Sequence, residues 1–595
     1  MPIIKPFEDL NGKFTARLKA SQIKERSFMA REGTVTLTSV IGLFEANFNM
    51  DTLSQLEKPT FIVAKRTDRL GEVYLIYEVT AVKPIHYQML AMSQGMPKIV
   101  RHEYLEKVDE SWEKAEDTWI DIYSVYTGYT MRKFEKDYKF ERNETIVPLE
   151  GAEAKLLSVD TVERFINVKG GVSIGSMEGF DRDLLVNLEK LVKYHGAVFG
   201  FTGVGKSNLT AVLTRKILEN LADTRIAVID VAGEYGVGLA DQIAKQGAIY
   251  TTENYEAAED RIDSFLASQA TPETLTDALK KSGSTDSLKE YAETVFKTKK
   301  VRYLNLEEPT FELILDDLES SDRAEAKSLA MDLRGILDEA NVSPTSPIGE
   351  VLANKEVRDK IQAAISECEQ ACKDLRYPPE KLISQLTYID KRIQTSMEAK
   401  QEEDRERINP EKVGQKLIAP EDKERLLVAY LPDPNEARLF TIRLINELLT
   451  LRKRKSKGPR ILIVIDEAQE FIPDRSLRDD FTLQSNTAVE RLLRQGRKYM
   501  VHGWVSTQRV AHLNVNAVQQ IQSFFAGTLP REYDRRVIAE ATGISPDILD
   551  KTAYLDMGEW MFVSFRATEL RNIPVFIKAQ NNEDILLSWF SSKRR

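Results

Sequence analysis

The stretch GFTGVGKS, from Gly200 to Ser207, decides the fold of this chain. It satisfies the pattern G-x-x-x-x-G-K-[ST] completely, with an apolar strand signal before it (HGAVFG, 195–200) and a helical pattern after it (207–221). Glycines let successive backbone N–H groups curve around phosphate oxygens, and the following helix directs its positive end at the same place. The stretch therefore predicts a phosphate-binding loop at the start of an α/β core.

The loop suggests roles for particular side chains. Lys206 is expected to reach the β- and γ-phosphates of ATP, and Ser207 is expected to ligate Mg²⁺. A glycine turn without a ligand is the alternative interpretation, and the strand and helix patterns on either side disfavour it. The predicted nucleotide-binding residues are Gly200, Thr202, Gly203, Gly205, Lys206, Ser207, Asn208, Asp230 and Glu234.

A second candidate element is ILIVIDE (461–467), an apolar run that ends in two carboxylates. A carboxylate at the tip of a buried strand lies where the phosphates bind in a doubly wound sheet. Asp466 is therefore predicted to hold Mg²⁺ through water. Glu467 is predicted to orient and deprotonate the attacking water. Apolar strands ending in Asp-Glu are common, so this assignment depends on the complete loop upstream.

RLLRQGRKYM (491–500) and the strand that follows it supply a third group of candidates. Gln508 stands at the end of that strand, where it could sense the γ-phosphate. Arg494 and Arg497 are candidates for an arginine finger that completes a neighbouring subunit's site. Basic residues at a helix end that favour the helix dipole and solvent are the alternative interpretation. The sequence does not choose between the two arginines.

DVAGEYG (230–236) supplies a fourth group, at the end of the strand after the loop's helix. Asp230 and Glu234 are predicted to lie at the nucleotide edge of the sheet. A polar loop with a turn glycine would give the same pattern, so chemistry alone weights the two interpretations equally.

The chain divides into segments with different patterns. β-Branched and aromatic runs without a long helical period predict a small β-barrel or sandwich at 1–160. Alternating strand and helix patterns at 165–255 and 423–580 predict two parts of an α/β core with a parallel sheet. Long charged helical patterns at 322–341, 355–375 and 382–408 predict a helical insertion at 256–422, and 581–595 is expected to be a C-terminal tail. The strand signals of the N-terminal segment are 34–42, 60–66, 73–82 and 119–128.

Composition limits the compatible functions. With 595 residues, of which 42% are hydrophobic and 30% charged, the chain can build several domains. Its net charge of −10 does not match a protein coated for nucleic acid, although a ring needs basic residues only along its channel. No apolar run is long enough for a bilayer, and no export signal is visible. A cytoplasmic protein without membrane contact is therefore expected.

Two local features are interpreted as structural. Cys368 and Cys372 stand four apart in a helical pattern, and they fit a reducing compartment better than a metal site. The basic runs RKRKSKGPR (452–460) and SSKRR (591–595) are interpreted as a solvated loop and a solvated tail.

These motifs together resemble the HerA family of DNA translocases, in the HerA–FtsK branch of RecA-like ATPases. The resemblance covers about 165–255 and 425–580, and the N-terminal segment is similar in kind to the family's small barrel. Val204 stands where the family often has serine and Gln469 where histidine is usual, and neither departure removes a catalytic atom. Besides the loop, the residues that carry the resemblance are His195, Asp230, Gly233, Glu234, Tyr235, the segment DEAQEF (466–471), Arg494, Gly496, Arg497, Lys498, Ser506 and Gln508.

The resemblance implies a RecA-like core in a homohexameric ring that hydrolyses ATP with Mg²⁺ between its subunits. Such a ring is expected to pull double-stranded DNA through its centre. The resemblance also implies a partner docked on the N-terminal barrel, either a nuclease or an NAD-hydrolysing effector, in DNA-end processing or antiphage defence. No clustered acidic metal site stands outside the predicted ATPase core, so DNA cutting is assigned to the partner.

Three other classes of protein share parts of this pattern. A DEAx-box helicase would need a second RecA-like domain, and too few residues follow Glu467 to build one. A secretion or conjugation ATPase belongs to the same branch, and it would usually dock to a membrane complex. A scaffold that binds ATP without working as a motor is the alternative from a different class.

Overall fold

The computed structural model describes residues 5–30, 33–91, 96–112, 116–135, 137–255, 260–284, 286–306, 310–319, 323–346, 348–352, 354–373, 407–454, 457–474, 481–571 and 573–592. The chain forms two compact units. The first comprises Met1–Leu191, Val198–Lys206 and Gln522–Gln580, and the second comprises Val192–Ala197, Ser207–Ile521 and Asn581–Arg595. The chain therefore passes from one unit to the other between the last two residues of the phosphate-binding loop.

The elements before the phosphate-binding loop are mainly strands, with a few helices between them. In chain order these elements are β1 (Phe7–Glu8), β2 (Ala16–Ala30), β3 (Gly33–Asn47), α1 (Met50–Leu56), β4 (Phe61–Asp68), β5 (Gly71–His86), α2 (Tyr87–Ala91), α3 (Lys98–Asp109), β6 (Thr118–Phe134), β7 (Asp137–Arg142), β8 (Glu153–Leu157), α4 (Val159–Ile166), β9 (Val172–Met177), β10 (Arg182–Val186), α5 (Leu188–Lys193) and β11 (Gly196–Phe199).

Helices outnumber strands after the loop. In chain order these elements are α6 (Lys206–Asn220), β12 (Thr224–Asp230), α7 (Tyr235–Gly238), α8 (Ala240–Gln246), β13 (Gly247–Thr251), α9 (Arg261–Ser268), α10 (Glu273–Lys281), α11 (Ser287–Lys297), β14 (Val301–Tyr303), α12 (Phe311–Glu319), α13 (Ala324–Glu339), α14 (Ile348–Val351), α15 (Lys355–Lys373), α16 (Pro410–Ile418), β15 (Leu426–Tyr430), α17 (Pro434–Arg454), β16 (Arg460–Ile465), α18 (Thr482–Gln495), β17 (Val501–Thr507), α19 (Val515–Val518), β18 (Ser523–Ala526), α20 (Glu532–Thr542), α21 (Pro546–Leu549), β19 (Glu559–Ser564), α22 (Phe565–Thr568), β20 (Val575–Lys578) and α23 (Asn582–Ser592). Within the described ranges, none of the helices combines the length and apolarity needed to cross a membrane.

Six strands of the N-terminal segment pair in a closed circuit. β8 pairs antiparallel with β2 on one side and with β4 on the other, while β3, β6 and β5 complete the path between β2 and β4. Leu18, Phe44 and Ile62 are among the apolar side chains buried together in this segment. The four predicted strand signals fall on β3, β4, β5 and β6, and all four strands extend beyond the predicted bounds.

A second set of strands in the first unit joins distant parts of the sequence. β10, β9, β20, β19 and β18 pair in that order, and each is antiparallel to the next. Residues 522–580 therefore belong to the same unit as the N-terminal segment. The sequence pattern instead predicts 423–580 as one part of the core. Local patterns identify a strand but not its partner, and the partner decides the grouping here.

The second unit contains a parallel sheet. Its described strands follow the order β17, β16, β12, β15, β13 and β14, and every neighbouring pair is parallel. β12, β16 and β17 are buried along their whole length, as expected for strands covered on both faces. β12 and β16 pair with Ile229 opposite Ile465, so Asp230 and Asp466 follow at the same edge. The predicted α/β fold is confirmed.

The predicted helical insertion at 256–422 contains helices and also a strand. α13 and α15 confirm the helical patterns near 322–341 and 355–375, and α15 carries both free cysteines. β14 pairs with β13 and so extends the parallel sheet. Its three residues are too few to give a recognisable strand pattern. A further helix predicted at 382–408 lies almost entirely outside the described residues.

The basic run 452–460, interpreted as a solvated loop, is partly buried. The guanidinium of Arg452 donates to the carbonyl of Pro459, and both Arg452 and Arg460 are buried. The letters of this run did not reveal which side chains turn inward.

The expected C-terminal tail forms α23 up to Ser592, with Leu586 and Phe590 buried. Ser591 and Ser592, the described part of the basic run 591–595, are exposed.

Helix α23 is tied to the helix that follows the phosphate-binding loop. Arg215, buried within α6, donates to the side chain of Asn582 at the start of α23. The same guanidinium bonds to the carboxylate of Asp241 at 2.7 and 3.0 Å. The backbone N–H of Asn582 donates to Oδ1 of Asn208 at 2.7 Å. Because a buried guanidinium must keep its donors and its charge satisfied, α6 depends on α23 for its packing.

The first unit contains a buried carboxyl group, that of Glu78, which does not belong to the phosphate-binding loop. Glu78 on β5 is enclosed, and burial raises its pKa to about 7, an effect that the nearby Lys551 ammonium opposes. Burial also lowers the pKa of Lys551. The Nζ of Lys551 donates to the carbonyl of Val79 at 2.7 Å.

We expect a Glu78→Gln variant to remove part of the pH dependence of stability. The pKa of Glu78 is about 7 in the folded chain and 4.5 as a free group, so between these values the folded state holds a proton that the unfolded state has lost. Wild-type stability therefore falls as the pH rises from about 5 to about 7.5. The variant should lack this part of the fall, on the order of 1–3 kcal/mol. Thermal unfolding at both pH values measures it, and equal pH dependence in the two proteins would contradict it.

Candidate functional site

The phosphate-binding loop has the backbone that its sequence predicts. Gly203 and Gly205 have φ angles of 84° and 94°, in the left-handed region that glycine enters without steric cost. Lys206 begins α6, and its Nζ donates a long hydrogen bond of 3.4 Å to the carbonyl of Phe201. Among the described residues Lys206 makes no ion pair. Its ammonium group is therefore available for an anion, and the loop fits a phosphate.

The hydroxyl of Ser207 contacts a carboxylate, and both residues belong to the second unit. It donates a hydrogen bond to Oε2 of Glu234. This donation uses the hydroxyl hydrogen and leaves oxygen lone pairs for a cation. Ser207 can therefore ligate Mg²⁺ while it keeps its bond to Glu234.

Asp230 shapes the turn that places Glu234. Its carboxylate accepts hydrogen bonds from the backbone N–H groups of Gly233, Glu234 and Tyr235, at 2.8, 3.1 and 2.9 Å. Burial raises the pKa of Asp230 to about 6, and the three donors oppose that shift. Gly233 has a φ of 77°, and a Cβ there would lie 2.6 Å from the carbonyl oxygen of Ser268. Both observations explain why the turn needs glycine.

Asp466 lies at the end of β16 and is 2% exposed. Burial raises its pKa, and the negative charge of Glu234 raises it further. A carboxyl group in this position gains from a nearby cation, because the cation would favour its charged form. The described residues contain no cluster of three or more His, Cys, Asp or Glu suited to a metal. Ser207 and Asp466 would therefore hold Mg²⁺ together with water and phosphate oxygens, as is usual beside a phosphate-binding loop.

Glu467 is held by two glutamines. The Nε2 of Gln469 donates to Oε2 of Glu467 at 2.6 Å, and the Nε2 of Gln508 lies 3.4 Å from both carboxylate oxygens. The hydroxyl of Thr507, at the end of β17, donates to Oε1 of Gln469 at 2.5 Å and accepts from the N–H of Arg509 at 3.0 Å. This chain of bonds fixes which end of the Gln469 amide faces the carboxylate.

The backbone of Glu467 is also unusual. Its φ and ψ angles are 46° and 49°, in the left-handed region, which costs a non-glycine residue of order 1–3 kcal/mol. Strain of this kind persists only where the surroundings enforce it. The two glutamines and the buried strand before Glu467 provide that enforcement, and together they set the direction of the carboxylate.

The two candidate arginines have other partners than the carboxylates around Glu467. Arg494, in the last turn of α18, is 62% exposed and pairs with Glu490 at 3.2 Å, one turn earlier in the same helix. The guanidinium of Arg497 lies 5.4 Å from the centre of the Tyr194 ring. In their described contacts, neither arginine meets Asp466 or Glu467 of its own chain.

Three other predicted nucleotide-binding residues have distinct surroundings. A Cβ on Gly200 would lie 2.6 Å from a methyl carbon of Val204, so this glycine is needed for the loop to close. Thr202 is exposed in the loop. The side chain of Asn208 accepts a hydrogen bond from the backbone N–H of Asn582 at the start of α23, and its contact with the nucleotide stays a prediction.

The histidine before the loop's strand has a structural explanation. His195 has a φ of 59°, and its Nδ1 accepts a hydrogen bond from the backbone N–H of Gly503 at 2.9 Å. Its ring centre lies 5.9 Å from that of His502. Burial lowers the pKa of His195 to about 4, so the ring is neutral and can accept at Nδ1 near neutral pH. His195 therefore helps to fix β17, which ends at Thr507.

The sequence signals for Gln469 and Thr507 were present without being decisive. Gln469 stands two residues after Glu467, and Thr507 stands directly before Gln508. Either residue is common at the end of a strand. Only the pairing of β16 with β17 shows that the two side chains meet.

Comparison with known proteins agrees with this geometry. The family described as "Helicase HerA, central domain" matches residues 172–450. Residues 172–450 are therefore similar to the HerA central domain. The match includes the loop, Asp230 and Glu234, whereas Asp466, Glu467 and Gln508 lie beyond its end. The resemblance inferred from the sequence motifs is therefore confirmed.

Two curated HerA proteins are similar to most of the chain. The "DNA double-strand break repair helicase HerA" of Saccharolobus solfataricus (strain ATCC 35092 / DSM 1617 / JCM 11322 / P2) is 22% identical over 455 residues, which are 74% of this chain and 75% of that protein. The HerA protein of the same description from Pyrococcus furiosus (strain ATCC 43587 / DSM 3638 / JCM 8422 / Vc1) is 23% identical over 473 residues, 75% of this chain and 77% of that protein. The similarity thus extends well beyond the central domain.

A solved structure of VirB4 from Thermoanaerobacter pseudethanolicus is also similar. It aligns with 70% of this chain and 98% of its own, at 14% identity and a TM-score of 0.40. A TM-score of this size does not establish a common overall fold.

We expect Thr507→Val to slow ATP hydrolysis at least about tenfold while changing the KM for ATP by less than about twofold. The substitution keeps the volume of a buried side chain and removes the hydroxyl that orients Gln469.

Thr507→Ser is the matched control, because it keeps the hydroxyl, and it should retain most of the wild-type rate. Steady-state kinetics, with kcat and KM for ATP measured separately, distinguish the variants. Equal values of kcat for the Val and Ser variants would show that the hydroxyl has no part in positioning Glu467.

Proposed function

We propose that this chain is an ATP-driven translocase of double-stranded DNA that works as a homohexameric ring with a RecA-like core. The observation that carries the proposal is the cluster of Ser207, Glu234, Asp466 and Glu467, which continues a complete phosphate-binding loop. The HerA central domain supports the same function, because the curated relatives are DNA double-strand break repair helicases. A scaffold that only binds ATP has no use for a carboxylate held by Gln469.

The proposed mechanism divides the work among the residues of the cluster. The N–H groups of the loop and the ammonium of Lys206 bind the phosphates. Ser207 and Asp466 hold Mg²⁺, which supplies positive charge to the phosphates when bound. Glu467 accepts the proton of the attacking water. Gln508, 3.4 Å from both oxygens of that carboxylate, links the base to the γ-phosphate.

Of the two arginines, we assign the finger that acts on a neighbouring subunit to Arg494. Its only described ion pair is the exposed one with Glu490, and exposed pairs of this spacing contribute only about 0.3–0.5 kcal/mol. It can therefore leave that partner at little cost. Arg497 faces Tyr194 of its own chain, a contact that holds it in place.

The closed circuit of strands β8, β2, β3, β6, β5 and β4 is the proposed barrel on which a nuclease or an NAD-hydrolysing effector docks. The free thiols of Cys368 and Cys372 support a reducing compartment, and we assign the protein to the cytoplasm. DNA-end processing and antiphage defence are both compatible with a ring that feeds DNA to such a partner.

The test of the proposal is an ATPase assay with and without linear duplex DNA at low salt. We expect duplex DNA to stimulate hydrolysis, because it would order the loops that join neighbouring subunits, and we expect the stimulation to fall steeply with salt. Lys206→Ala should abolish turnover. Glu467→Gln should bind ATP and retain it unhydrolysed.

Lys216→Ala, ten residues further along α6, is the control for loss of a lysine from the same helix. A wild-type rate in Glu467→Gln would refute the assignment of the base. Absence of DNA stimulation at low salt, with hydrolysis intact, would refute translocation. Absence of hydrolysis in the wild-type protein would favour the scaffold.

We also expect two inactive variants to restore activity when their subunits are mixed. Arg494→Ala keeps the base, and Glu467→Gln keeps the finger, so an interface with one of each in the right order is complete. Random mixing at equal amounts makes about a quarter of interfaces complete, and activity should recover to about that fraction. Arg497→Ala should hydrolyse ATP in isolation. No recovery on mixing, or a monomeric protein with full activity by native mass measurement, would contradict the shared site.

A further inference from the structure

A cavity of about 480 Å³ in the second unit is lined by basic side chains. It follows the edge strand β14 and the end of β13, and its lining includes neutral residues such as Asn254 and Phe296. None of its described lining residues is acidic. The basic members of the lining are Arg261, Lys299, Arg302, Arg407 and Lys416.

Most of these charges have no counter-ion among the residues that the structure describes. Arg302 is paired with Glu424 through two hydrogen bonds and also donates to the hydroxyl of Tyr250. Its positive charge is therefore already compensated. Within the described part of the chain, the other four basic residues make no ion pair. Arg261 instead lies 5.3 Å from the centre of the Phe296 ring, an arrangement that holds its guanidinium beside the cavity.

Two other cavities of the protein show that this lining is unusual. Both belong to the first unit, and in both the basic side chains are mixed with carboxylates. The larger has Glu8, Asp9 and Glu153 beside Arg17 and Lys155. The smaller has Glu141 and Glu569. The chain as a whole has a net charge of −10. In a concave site whose described charged side chains are all positive, these side chains repel one another unless a bound anion neutralises them.

The cavity is separate from the nucleotide-binding cluster. Asp466 and Glu467 follow β16, and β12 and β15 stand between β16 and β13 in the sheet. Adjacent strands lie about 4.8 Å apart, so three such steps separate the two sites by roughly 14 Å within the sheet. The basic side chains therefore do not serve the phosphates bound by the loop.

We propose that this cavity binds phosphate groups of a nucleic acid backbone. Lysine and arginine side chains around a concave surface are the usual partners of backbone phosphates, and four uncompensated charges can contact several of them. The aromatic ring of Phe296 and the amide of Asn254 add contacts that a strand of nucleic acid can use. This inference rests on the proposed function, because it gives the DNA a contact on each subunit beyond the central loops.

The test compares two double variants. Arg407→Gln with Lys416→Gln removes two of the four uncompensated charges, and Lys280→Gln with Lys281→Gln removes the same charge from exposed positions on α10. Binding of a labelled duplex and of a single strand of equal length is measured by anisotropy from low to high salt. We expect the cavity variant to bind at least about tenfold more weakly at low salt, and its slope of log K against log salt to fall by about two. The α10 variant should behave like wild type.

A third arm tests a small phosphate ligand. Pyrophosphate binding is measured in a Lys206→Ala background, so that the phosphate-binding loop does not add to it. Thermal unfolding of each variant checks that the fold is intact, and Arg261→Gln with Lys299→Gln replaces the first cavity variant if that one unfolds.

Each outcome decides the inference. Equal slopes and affinities for the cavity and α10 variants overturn it. Loss of pyrophosphate binding with unchanged DNA binding shows a site for a small phosphate and overturns the assignment to nucleic acid. If the wild-type protein binds no DNA at low salt, the proposed function and the assignment to nucleic acid both fail, and the pyrophosphate arm decides whether the cavity binds phosphate. Weaker DNA binding with a wild-type ATPase rate in the absence of DNA supports the inference.

Discussion

The register between β12 and β16 is the constraint on which the candidate site depends. Parallel pairing of Ile229 with Ile465 delivers Asp230 and Asp466 to one edge of the sheet, and the turn after Asp230 adds Glu234. Carboxyl groups this close and this buried repel one another, and the raised pKa values of Asp230 and Asp466 record that cost. Three backbone donors hold Asp230 and offset part of that cost, and a cation beside Asp466 would offset more of it.

The sequence predicts the local parts of this arrangement well. A complete loop pattern, an apolar strand ending in Asp466 and Glu467, and a helical pattern after Ser207 each depend on neighbours in the chain. The contact between Gln469 and Thr507 could not be predicted in this way, because it depends on which strand lies beside β16. The grouping of 522–580 with the N-terminal segment could not be predicted for the same reason, since it depends on the pairing of β20 with β9. Patterns specify elements, and long-range pairing specifies their partners.

Net charge proved a poor guide to where anions can bind. A value of −10 averages over the whole surface, whereas the cavity beside β14 collects basic side chains from α9, α16 and β14, together with Lys299 and Arg407. Such a site forms only when helices far apart in the sequence meet at the edge of a sheet. The opposite error occurs at Arg452 and Arg460, whose run of basic letters suggests a solvated surface although both side chains are buried.

The bond between Arg215 and Asn582 joins residues 367 positions apart. The guanidinium in the middle of α6 therefore cannot bond to Asn582 until nearly all of the second unit has left the ribosome. At about 5–20 residues per second, that interval lasts roughly 20–70 s. During synthesis the helix behind the phosphate-binding loop must wait that long for its final packing, so a nascent chain acquires its nucleotide site as one of its last folding events.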